Sequence, residues 1–333
     1  MKNPAISVLL PCYNSAETLR ASIDSIIAQS FADFELLILD DGSEESVEII
    51  DDPRIIYLRS EKNLGLSAQL NIGIERARGE FIARLDADDI ALPDRFQKQI
   101  DVMGKNSEIG ICGSWAQLFD EKGAREIWHY PSLPDECQAT LFLRSSFLHP
   151  GVMIRTSVLV ENHIRYDETL KVAQDYELWY RLLRVTTGIN LEECLTHYRI
   201  SSSQLTRAHS DTKDRETRLI RERVLGELGI DGLDCYEQIL ASEWEETMAF
   251  YTRVAAWLNT AAVANRQRNV FPEAAFETLL ARMFFDRCQC ATRRGFDGLR
   301  AYREISFGNR YRARPSDLIR LRIKSALKPS LSS

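Results

Sequence analysis

Residues 80–95 read EFIARLDADDIALPDR, a short apolar run that ends in three carboxylates within four positions. The carboxylates are Asp86, Asp88 and Asp89. Such charges about 4 Å apart repel one another by about 1 kcal/mol per pair in water, and by about 4 kcal/mol at a partly shielded site. Magnesium and manganese ions prefer oxygen ligands and are often held by one or two carboxylates together with substrate phosphates. The stretch therefore predicts a site for a divalent cation and the diphosphate of a nucleotide.

The residues that follow indicate where in the fold these carboxylates lie. A DxD tripeptide by itself is most often a solvated turn, because a short motif needs structural context. Here Pro93 suits the first turn of a helix, and Phe96, Ile100 and Met103 follow at helical spacing. The carboxylates are therefore expected at the carboxyl end of a strand that leads into a helix, where open α/β sheets bind ligands.

Apolar strands alternate with amphipathic helices in the preceding part of the chain. Strands are predicted at residues 5–10, 34–39 and 55–58, and a further strand begins near Gly79. Asn14 and Glu17 have the spacing of a capping box at the start of the first helix. The inward faces of the two predicted helices carry Leu19, Ile23, Ile26 and Ile27, and Leu66, Leu70 and Ile74. This alternation predicts an α/β fold with a mostly parallel sheet and right-handed crossovers.

The remainder of the chain divides into two parts. Residues 109–130 predict a pair of antiparallel strands beside the parallel sheet, with a turn at residues 120–123. Beyond about residue 206 the strand signals fade and the pattern becomes helical. We therefore predict an α/β domain over residues 1–205 and a helical C-terminal region over residues 206–333.

Polar loops follow the predicted strands, and parallel strands bring their carboxyl ends to one edge of a sheet. The loops contain Tyr13-Asn14, Asp40-Asp41 and the carboxylates at 86–89. An aromatic ring can stack on a base, and a carboxylate can accept a hydrogen bond from a base imide or a ribose hydroxyl. Each loop also has a simpler interpretation, since residues 40–43 form a good turn sequence and Tyr13 could pack against the protein. In combination the loops predict a nucleotide site.

The second informative stretch is residues 174–183, QDYELWYRLL. Its apolar residues share a helix face, Glu177 and Arg181 form an i,i+4 pair, and Asp175 falls in the first turn. Asp175 has two interpretations: a carboxylate that complements the positive helix terminus, or a partly desolvated general base with a raised pKa. His149, a single histidine before a proline, is a weak candidate for function.

The net charge of −7 conceals a division along the chain. Residues 287–333 contain 12 Lys and Arg against three Asp and Glu, or +9, which leaves −16 for residues 1–286. A basic amphipathic tail can lie on an anionic membrane, and the alternatives are a solvated helix face or a partner interface. Nucleic acid is a poorer fit because most of the chain is acidic.

The sequence has no apolar run of the roughly 20 residues needed to span a bilayer, and no signal-peptide core at its start. It therefore predicts a cytoplasmic protein. Peripheral contact with the inner face of the cytoplasmic membrane, through the tail, is the alternative that this prediction leaves open.

Several motifs together resemble the family 2 glycosyltransferases, which are inverting enzymes with the GT-A fold. The resemblance covers the first two thirds of the chain and implies a mixed, mostly parallel sheet flanked by helices. The form of the motifs at 84–96 is most similar to bacterial enzymes that build surface polysaccharide, namely capsule, exopolysaccharide or lipopolysaccharide O-antigen. The motifs are PCYN at 11–14, DDGS at 40–43, NLGL at 63–66, LNIG at 70–73, RLDADDIALPDRF at 84–96 and QDYELW at 174–179.

The resemblance implies a set of donor-binding residues along the strand ends. In it Tyr13 and Asn14 line the base pocket with Pro11, Glu17 supports that pocket, and Asp41 or Asp40 bonds the uracil. The complete set is Pro11, Tyr13, Asn14, Glu17, Asp40, Asp41, Asn63, Arg84, Asp86, Ala87, Asp88 and His149.

The resemblance also implies the metal ligands and the base. Asp86 would lie nearer the ribose, Asp88 would bind Mn²⁺ or Mg²⁺, and Asp89 would be an alternative metal ligand. Asp175 would be the catalytic base, and His149 would lie near the donor phosphates. The implied donor is a nucleotide-sugar, most simply a UDP-sugar, and the implied acceptor is a saccharide or an undecaprenyl-linked saccharide.

The sequence departs from the family pattern in two places. The acidic pair usual before the base helix is Gln174-Asp175 here, and the histidine expected shortly after residues 197–199 is absent from 200–203. There is also no QxxRW motif, which argues against a processive synthase. Two other interpretations remain: a sugar nucleotidyltransferase, which lacks its Gly-rich basic loop here, and a non-catalytic nucleotide-sugar-binding or scaffold protein at the membrane.

Overall fold

The computed structural model describes residues 3–45, 50–200, 210–241, 247–293 and 298–305. The strands in these ranges are β1 (Ile6–Cys12), β2 (Phe34–Asp40), β3 (Ile55–Arg59), β4 (Phe81–Arg84), β5 (Ile90–Ala91), β6 (Ile109–Asp120), β7 (Gly123–Trp128), β8 (Met153–Arg155) and β9 (Thr187–Arg199). The helices of the N-terminal part are α1 (Ala16–Ile27), α2 (Leu66–Arg76), α3 (Arg95–Lys105), α4 (Pro134–Thr140), α5 (Thr156–Glu161) and α6 (Gln174–Leu182). The later helices are α7 (Ser210–Leu228), α8 (Leu233–Leu240), α9 (Met248–Arg268), α10 (Glu273–Arg293) and α11 (Gly298–Glu304).

The strands form one mixed sheet in the order β3-β2-β1-β4-β8-β6-β9-β5, with β7 paired to β6. The strands β3, β2, β1 and β4 run parallel to their neighbours, and β8 is antiparallel to both β4 and β6. Every residue of β1 and β2 is buried, which explains why these strands are nearly continuous apolar runs. The predicted mixed α/β sheet with flanking helices is confirmed.

The predicted hairpin is also found, but β6 lies within the sheet rather than beside it. Its first half pairs with β8 and almost its whole length pairs with β9, while its second half pairs with β7. The turn between β6 and β7 includes Gly123, whose positive φ of 107° favours glycine. The short strand β7 therefore pairs with the second half of β6, and β6 itself lies inside the sheet.

The first helix shows the predicted inward face but not the predicted capping box. Leu19, Ile23 and Ile26 are buried, whereas Ser15 occupies the N-cap position without a side-chain cap bond. Asn14 instead has a left-handed backbone, with φ of 48°, and its side-chain oxygen accepts a 2.9 Å bond from the Glu44 N–H. The capping-box prediction is wrong, because the loop after β2 competes successfully for the Asn14 side chain.

The third helix begins at Arg95, two residues later than the position of Pro93 suggests. Its inward residues Phe96 and Met103 are buried as predicted. Arg95 is completely buried and donates to three backbone carbonyls, those of Arg84 at 2.7 Å, Pro150 at 2.9 Å and Val152 at 3.1 Å. This side chain therefore ties the end of β4 to the segment that precedes β8.

The chain separates into two compact units, Met1–Arg218 and Leu219–Ser333. The boundary predicted from sequence, after residue 205, falls in a segment outside the described residues. The second unit is helical in its described residues, with a core that includes Tyr236, Tyr251 and Phe284. None of the helices described in either unit has the length and apolarity needed to cross a bilayer. Most of the predicted basic tail, from residue 306 onward, lies outside the described residues.

Candidate active site

The carboxyl ends of β1, β2 and β4 meet at one edge of the sheet. In the register of the strands, Cys12 lies opposite Asp40, and Leu9 lies opposite Arg84. The Asp41 N–H donates a 2.9 Å bond to the Cys12 carbonyl. The sheet thus brings the three sequence segments that predicted a nucleotide site to the same edge.

Asp86, Asp88 and Asp89 form a cluster in which one oxygen of each lies within 4.8 Å of the others. Burial, together with the charge of Asp86, raises the pKa of Asp88 to about 6. Burial and the charges of both neighbours raise the pKa of Asp89 well above its ordinary value. The carboxylates therefore repel one another at partly and fully buried positions, and a cation between them would relieve that repulsion.

The fit of this cluster to a divalent ion follows from a buried carboxylate oxygen of Asp89. Asp89 is completely buried, and its Oδ1 accepts a 2.8 Å bond from the Arg199 N–H. Its Oδ2 is also buried and accepts no hydrogen bond from the described residues. Hard carboxylate oxygens are the ligands that Mg²⁺ and Mn²⁺ prefer. The residues present fit the divalent metal expected from the sequence.

Arg84 connects the cluster to the rest of the site. Its guanidinium forms a two-point ion pair with Asp86, with Nη1 at 3.0 Å from Oδ2 and Nη2 bonded to Oδ1. The positive charge of Arg84 also opposes the rise in the pKa of Asp88, Asp89 and Asp175, although burial outweighs it at each of them. Asp86 is therefore already paired within the protein, whereas the charges of Asp88 and Asp89 are less fully compensated.

Asp175 lies in the first turn of α6, where it is half-buried. Its Oδ2 accepts a 3.3 Å bond from the Ser145 hydroxyl. Burial raises its pKa, while the Tyr176 N–H, the Arg84 charge and the Ser145 hydroxyl act in the opposite direction, and the net shift is upward. A carboxylate with a raised pKa holds a proton more readily than an ordinary aspartate, as a general base requires.

The start of α6 is held by a residue that sequence analysis did not identify. Glu216 of α7 is buried, and its carboxylate accepts bonds of 2.9 Å from three consecutive N–H groups, those of Lys171, Val172 and Ala173. Three successive amides around one anion form an anion-binding nest. No sequence signal distinguishes Glu216 from its charged neighbours in α7. Ser145, which contacts Asp175, also has no sequence signal that distinguishes it from other serines.

His149 lies in the same region, in surroundings that disfavour the charged form of its imidazole. Its Nε2 is hydrogen-bonded to the Tyr166 hydroxyl at 2.8 Å, and its ring packs edge-on against Trp179. Burial, with a contribution from the Arg84 charge, lowers its pKa well below the ordinary histidine value. At a donor phosphate His149 would therefore act through a hydrogen bond rather than a charge.

Asp40 and Asp41 are both buried and both already accept hydrogen bonds. Asp40 accepts from the Ser43 N–H at 2.9 Å and from the Tyr57 hydroxyl. Burial raises the pKa of Asp40, but these bonds and the Arg59 charge outweigh it, so that the pKa is lowered. Asp41 accepts three bonds, from the Leu64 N–H at 2.7 Å, the Gly65 N–H at 2.9 Å and the Gln69 amide at 2.7 Å. Asp40 and Asp41 therefore shape the two loops of the expected base pocket.

The other expected donor residues divide by exposure. Tyr13 is 45% exposed, and Asn14, Glu17 and Asn63 are also exposed, so their side chains can be reached from solvent. Pro11 and Ala87 are buried, and could contribute to a pocket only through their backbone or a limited surface. Their roles in donor binding remain predictions.

Residues 7–162 match the family model described as glycosyl transferase family 2. An uncharacterized glycosyltransferase of Methanocaldococcus jannaschii is 36% identical over 211 residues, which cover 60% of this chain and 72% of the relative. The putative glycosyltransferase EpsE of Bacillus subtilis is 31% identical over 214 residues, covering 61% of this chain and 76% of the relative.

Two solved structures show the same fold at low sequence identity. S. aureus TarS 1-349 in complex with UDP-GlcNAc aligns with a TM-score of 0.53 at 17% identity, covering 96% of this chain and 90% of that one. The mannosyltransferase PcManGT from Pyrobaculum calidifontis, in complex with GDP-Man and Mn²⁺, aligns with a TM-score of 0.53 at 13% identity, covering 98% and 88%. The sequence relatives, together with the strand-end carboxylates described above, establish that this chain is a glycosyltransferase of family 2.

Proposed function

We propose that this chain is an inverting, metal-dependent enzyme that transfers a sugar from a nucleotide-sugar to a saccharide or undecaprenyl-linked saccharide. A UDP-sugar is the first candidate donor. The observation that carries the proposal is the shared electrostatic site, in which Arg84 pairs with Asp86 and acts on Asp88, Asp89 and Asp175 together. Two proteins of the same fold were solved with UDP-GlcNAc and with GDP-Man and Mn²⁺, which supports a nucleotide-sugar donor.

In the proposed reaction Asp88 and Asp89 would hold Mn²⁺ or Mg²⁺, Asp89 through the Oδ2 atom that accepts no hydrogen bond from the described residues. A bound divalent ion would supply charge for the diphosphate leaving group, a contribution of several kcal/mol. Arg84 keeps Asp86 compensated and limits the repulsion within the cluster. Asp86 is thus neutralised by Arg84, and Asp88 and Asp89 are left as ligands for the metal.

Asp175 would take the proton of the acceptor hydroxyl as that hydroxyl attacks the anomeric carbon. The C–O bond to the donor diphosphate breaks as the new glycosidic bond forms, so a single in-line displacement inverts the anomeric centre. Ser145 and the N-terminal amides of α6 keep the carboxylate oriented. General base catalysis of this kind contributes about 10²- to 10⁴-fold.

The biological role that we propose, surface-polysaccharide synthesis, is based on the motifs at residues 84–96. The motifs at 84–96 are most similar to bacterial enzymes of surface-polysaccharide synthesis, which act at the inner face of the cytoplasmic membrane. The basic composition of residues 287–333 suits a peripheral contact with that anionic surface. A lipid-linked acceptor would then be presented at the same surface.

The first experiment is calorimetry with UDP, GDP, dTDP and CMP, each with and without manganese. We expect manganese-dependent, UDP-selective binding in the wild type and in Asp175→Asn, which should lose transfer by about 10²- to 10⁴-fold. Asp88→Ala should lose the manganese-dependent part of binding. Asp101→Asn, an exposed carboxylate on α3, is the matched control and should behave as wild type.

Equal turnover in wild type, Asp175→Asn and Asp88→Ala would contradict the assignment. Nucleotide-sugar binding without any product, in the wild type, would favour the non-catalytic scaffold interpretation instead.

A further inference from the structure

The strand β7 carries an aromatic side chain that the donor and metal assignments do not use. All six residues of β7 are exposed, and Trp128 at its end keeps 39% of its surface exposed. The Trp128 ring stacks on the Tyr198 ring, with centroids 5.6 Å apart and planes 28° apart. Its indole N–H also lies 3.4 Å from the Glu126 carboxylate. The Tyr198 ring thus covers one face of the indole, and part of the remaining indole surface is exposed to solvent.

Tyr198 places this indole beside the carboxylate cluster. The next residue, Arg199, donates its N–H to Asp89 Oδ1 at 2.8 Å and its Nε–H to the Asp88 carbonyl at 3.0 Å. Burial and the charges of Asp86, Asp89 and Asp88 all raise the pKa of Tyr198. Trp128 therefore stacks on a residue whose hydroxyl is affected by the charges of the cluster and whose neighbour in the chain bonds Asp89.

The chain that follows Trp128 leads toward Asp175. Asn190 donates from one amide group to the Pro131 carbonyl at 2.8 Å and to the Ser146 carbonyl at 3.0 Å. Ser145, adjacent to Ser146, donates its hydroxyl to Asp175 Oδ2. The segment from Trp128 to Pro131 therefore connects the surroundings of the metal cluster with those of the base.

The position of Trp128 in the sheet separates it from the expected base pocket. The base-pocket residues follow β1 and β2, which lie on one side of β4 in the strand order, whereas β6 and β9 lie on the other side. A donor that spans from the β1–β2 loops to the cluster at the end of β4 would leave the β6–β9 side to the second substrate. The β6–β9 side carries Trp128. It also carries Asn190, which bonds the Ser146 carbonyl next to the Ser145 residue that contacts Asp175.

The chemistry of this surface suits a sugar ring. A pyranose has an apolar face of C–H groups that packs on an aromatic ring, and hydroxyls at its edge that bond to carboxylates. Binding sites for such ligands combine aromatic surface with a few oriented polar groups. Trp128 supplies the first, and the second would come from the Glu126 carboxylate, 3.4 Å from the Trp128 indole N–H, and from Asp175.

We propose that Trp128, backed by Tyr198, is the platform of an acceptor subsite that binds a pyranose ring of the saccharide acceptor next to Asp175. The inference rests on the proposed function, since it takes Asp175 as the base. It assigns the ring to the acceptor rather than to the donor sugar.

The test measures donor and acceptor separately. Manganese-dependent UDP binding is measured by calorimetry, and transfer from the matching UDP-sugar is measured against octyl glucoside, galactoside, mannoside and N-acetylglucosaminide. We expect Trp128→Ala to raise the acceptor KM by about tenfold or more, as loss of an aromatic contact worth about 1.4 kcal/mol implies. The dissociation constant for UDP should stay within about twofold of wild type, and Trp128→Phe should restore most of the acceptor affinity.

Ile127→Ala is the matched control, because Ile127 is 42% exposed and points to the opposite face of β7. It should leave both substrates unaffected. A Trp128→Ala variant that weakens UDP or UDP-sugar binding and spares the acceptor KM would assign the ring to the donor and overturn the inference.

Two further outcomes separate this inference from the proposed function. A wild-type enzyme that binds UDP and manganese but transfers to none of the octyl pyranosides would overturn the pyranose subsite alone. A wild type that binds no nucleotide would overturn the proposed function, and the subsite with it.

Discussion

Removal of the Glu216 carboxylate should loosen the start of α6 and so misplace Asp175. Glu216 accepts bonds from three consecutive N–H groups at residues 171–173, each 2.9 Å long, and only 4% of it is exposed. In Glu216→Ala these three donors lose the carboxylate that accepts from them, and the segment before α6 loses this link to α7.

The magnitude follows from the number and type of bonds. A hydrogen bond to a charged group contributes about 1.5–3 kcal/mol. The three bonds share two carboxylate oxygens, and water can replace part of them once the side chain is truncated, so we expect a total loss of about 3 kcal/mol rather than three full bonds. Glu216→Gln keeps one acceptor oxygen but loses the charge, and should lose about half as much.

Hydrogen exchange followed by mass spectrometry reads this local stability directly. A loss of about 3 kcal/mol corresponds to a drop of about 100-fold in the protection of the amides at residues 171–173. The kcat for transfer should fall in the same order, wild type above Glu216→Gln above Glu216→Ala, while the affinity for UDP and manganese is unchanged. The matched control is Asp214→Ala, an exposed carboxylate two residues earlier on α7.

Unchanged protection at residues 171–173 in Glu216→Ala would refute the reasoning. Equal losses in Glu216→Ala and Asp214→Ala would also refute it, since they would show a general effect of charge on α7. Lost protection with an unchanged kcat would limit Glu216 to a structural role.

Two further predictions concern buried charges near the cluster. Arg95→Met should lower the free energy of unfolding by about 3 kcal/mol, because three buried carbonyls lose their donor while the cost of burying a guanidinium is relieved. Urea denaturation measures this loss. The control variant Arg20→Met, at an exposed position, should unfold at the same urea concentration as the wild type. Manganese affinity should fall as the pH drops through about 6, because the raised pKa of Asp88 means that its carboxyl binds a proton there and a protonated carboxyl is a poor ligand. Titration of free Mn²⁺ by electron paramagnetic resonance at pH 5 and pH 7 measures the change, and equal affinity at both values would contradict it.

Much of the α/β unit could be predicted because its signals are local. The strands β1 and β2 are buried on both faces and so appear as continuous apolar runs, and α1 has its inward residues at helical spacing. The capping box at Asn14 failed although its spacing was correct. A cap depends on which acceptors and donors lie nearby, and here the loop after β2 supplies a better partner for that side chain.

The candidate site was predictable to the extent that it depends on strand ends. Carboxylates that end parallel strands must meet at one edge, so the positions of Asp41 and Asp88 follow from the strand pattern alone. The different roles of these carboxylates do not follow from the strand pattern. Only the hydrogen bonds of Asp41 to the 64–69 segment, and the unpaired oxygen of Asp89, distinguish a loop-shaping carboxylate from one available to a metal.

Local patterns in the sequence are enough to predict the alternation of strands and helices, the sheet edge where the carboxylates lie and the helical turn that contains Asp175, because each depends on residues close together in the chain. The folded chain is needed to see that Glu216 holds the start of α6, that Arg199 bonds Asp89 and that Trp128 stacks on Tyr198. These partners are 43 to 45 residues apart for Glu216 and 110 for Arg199. Contacts over such distances depend on strand register and on how the intervening elements pack, and no local pattern of residue types encodes either.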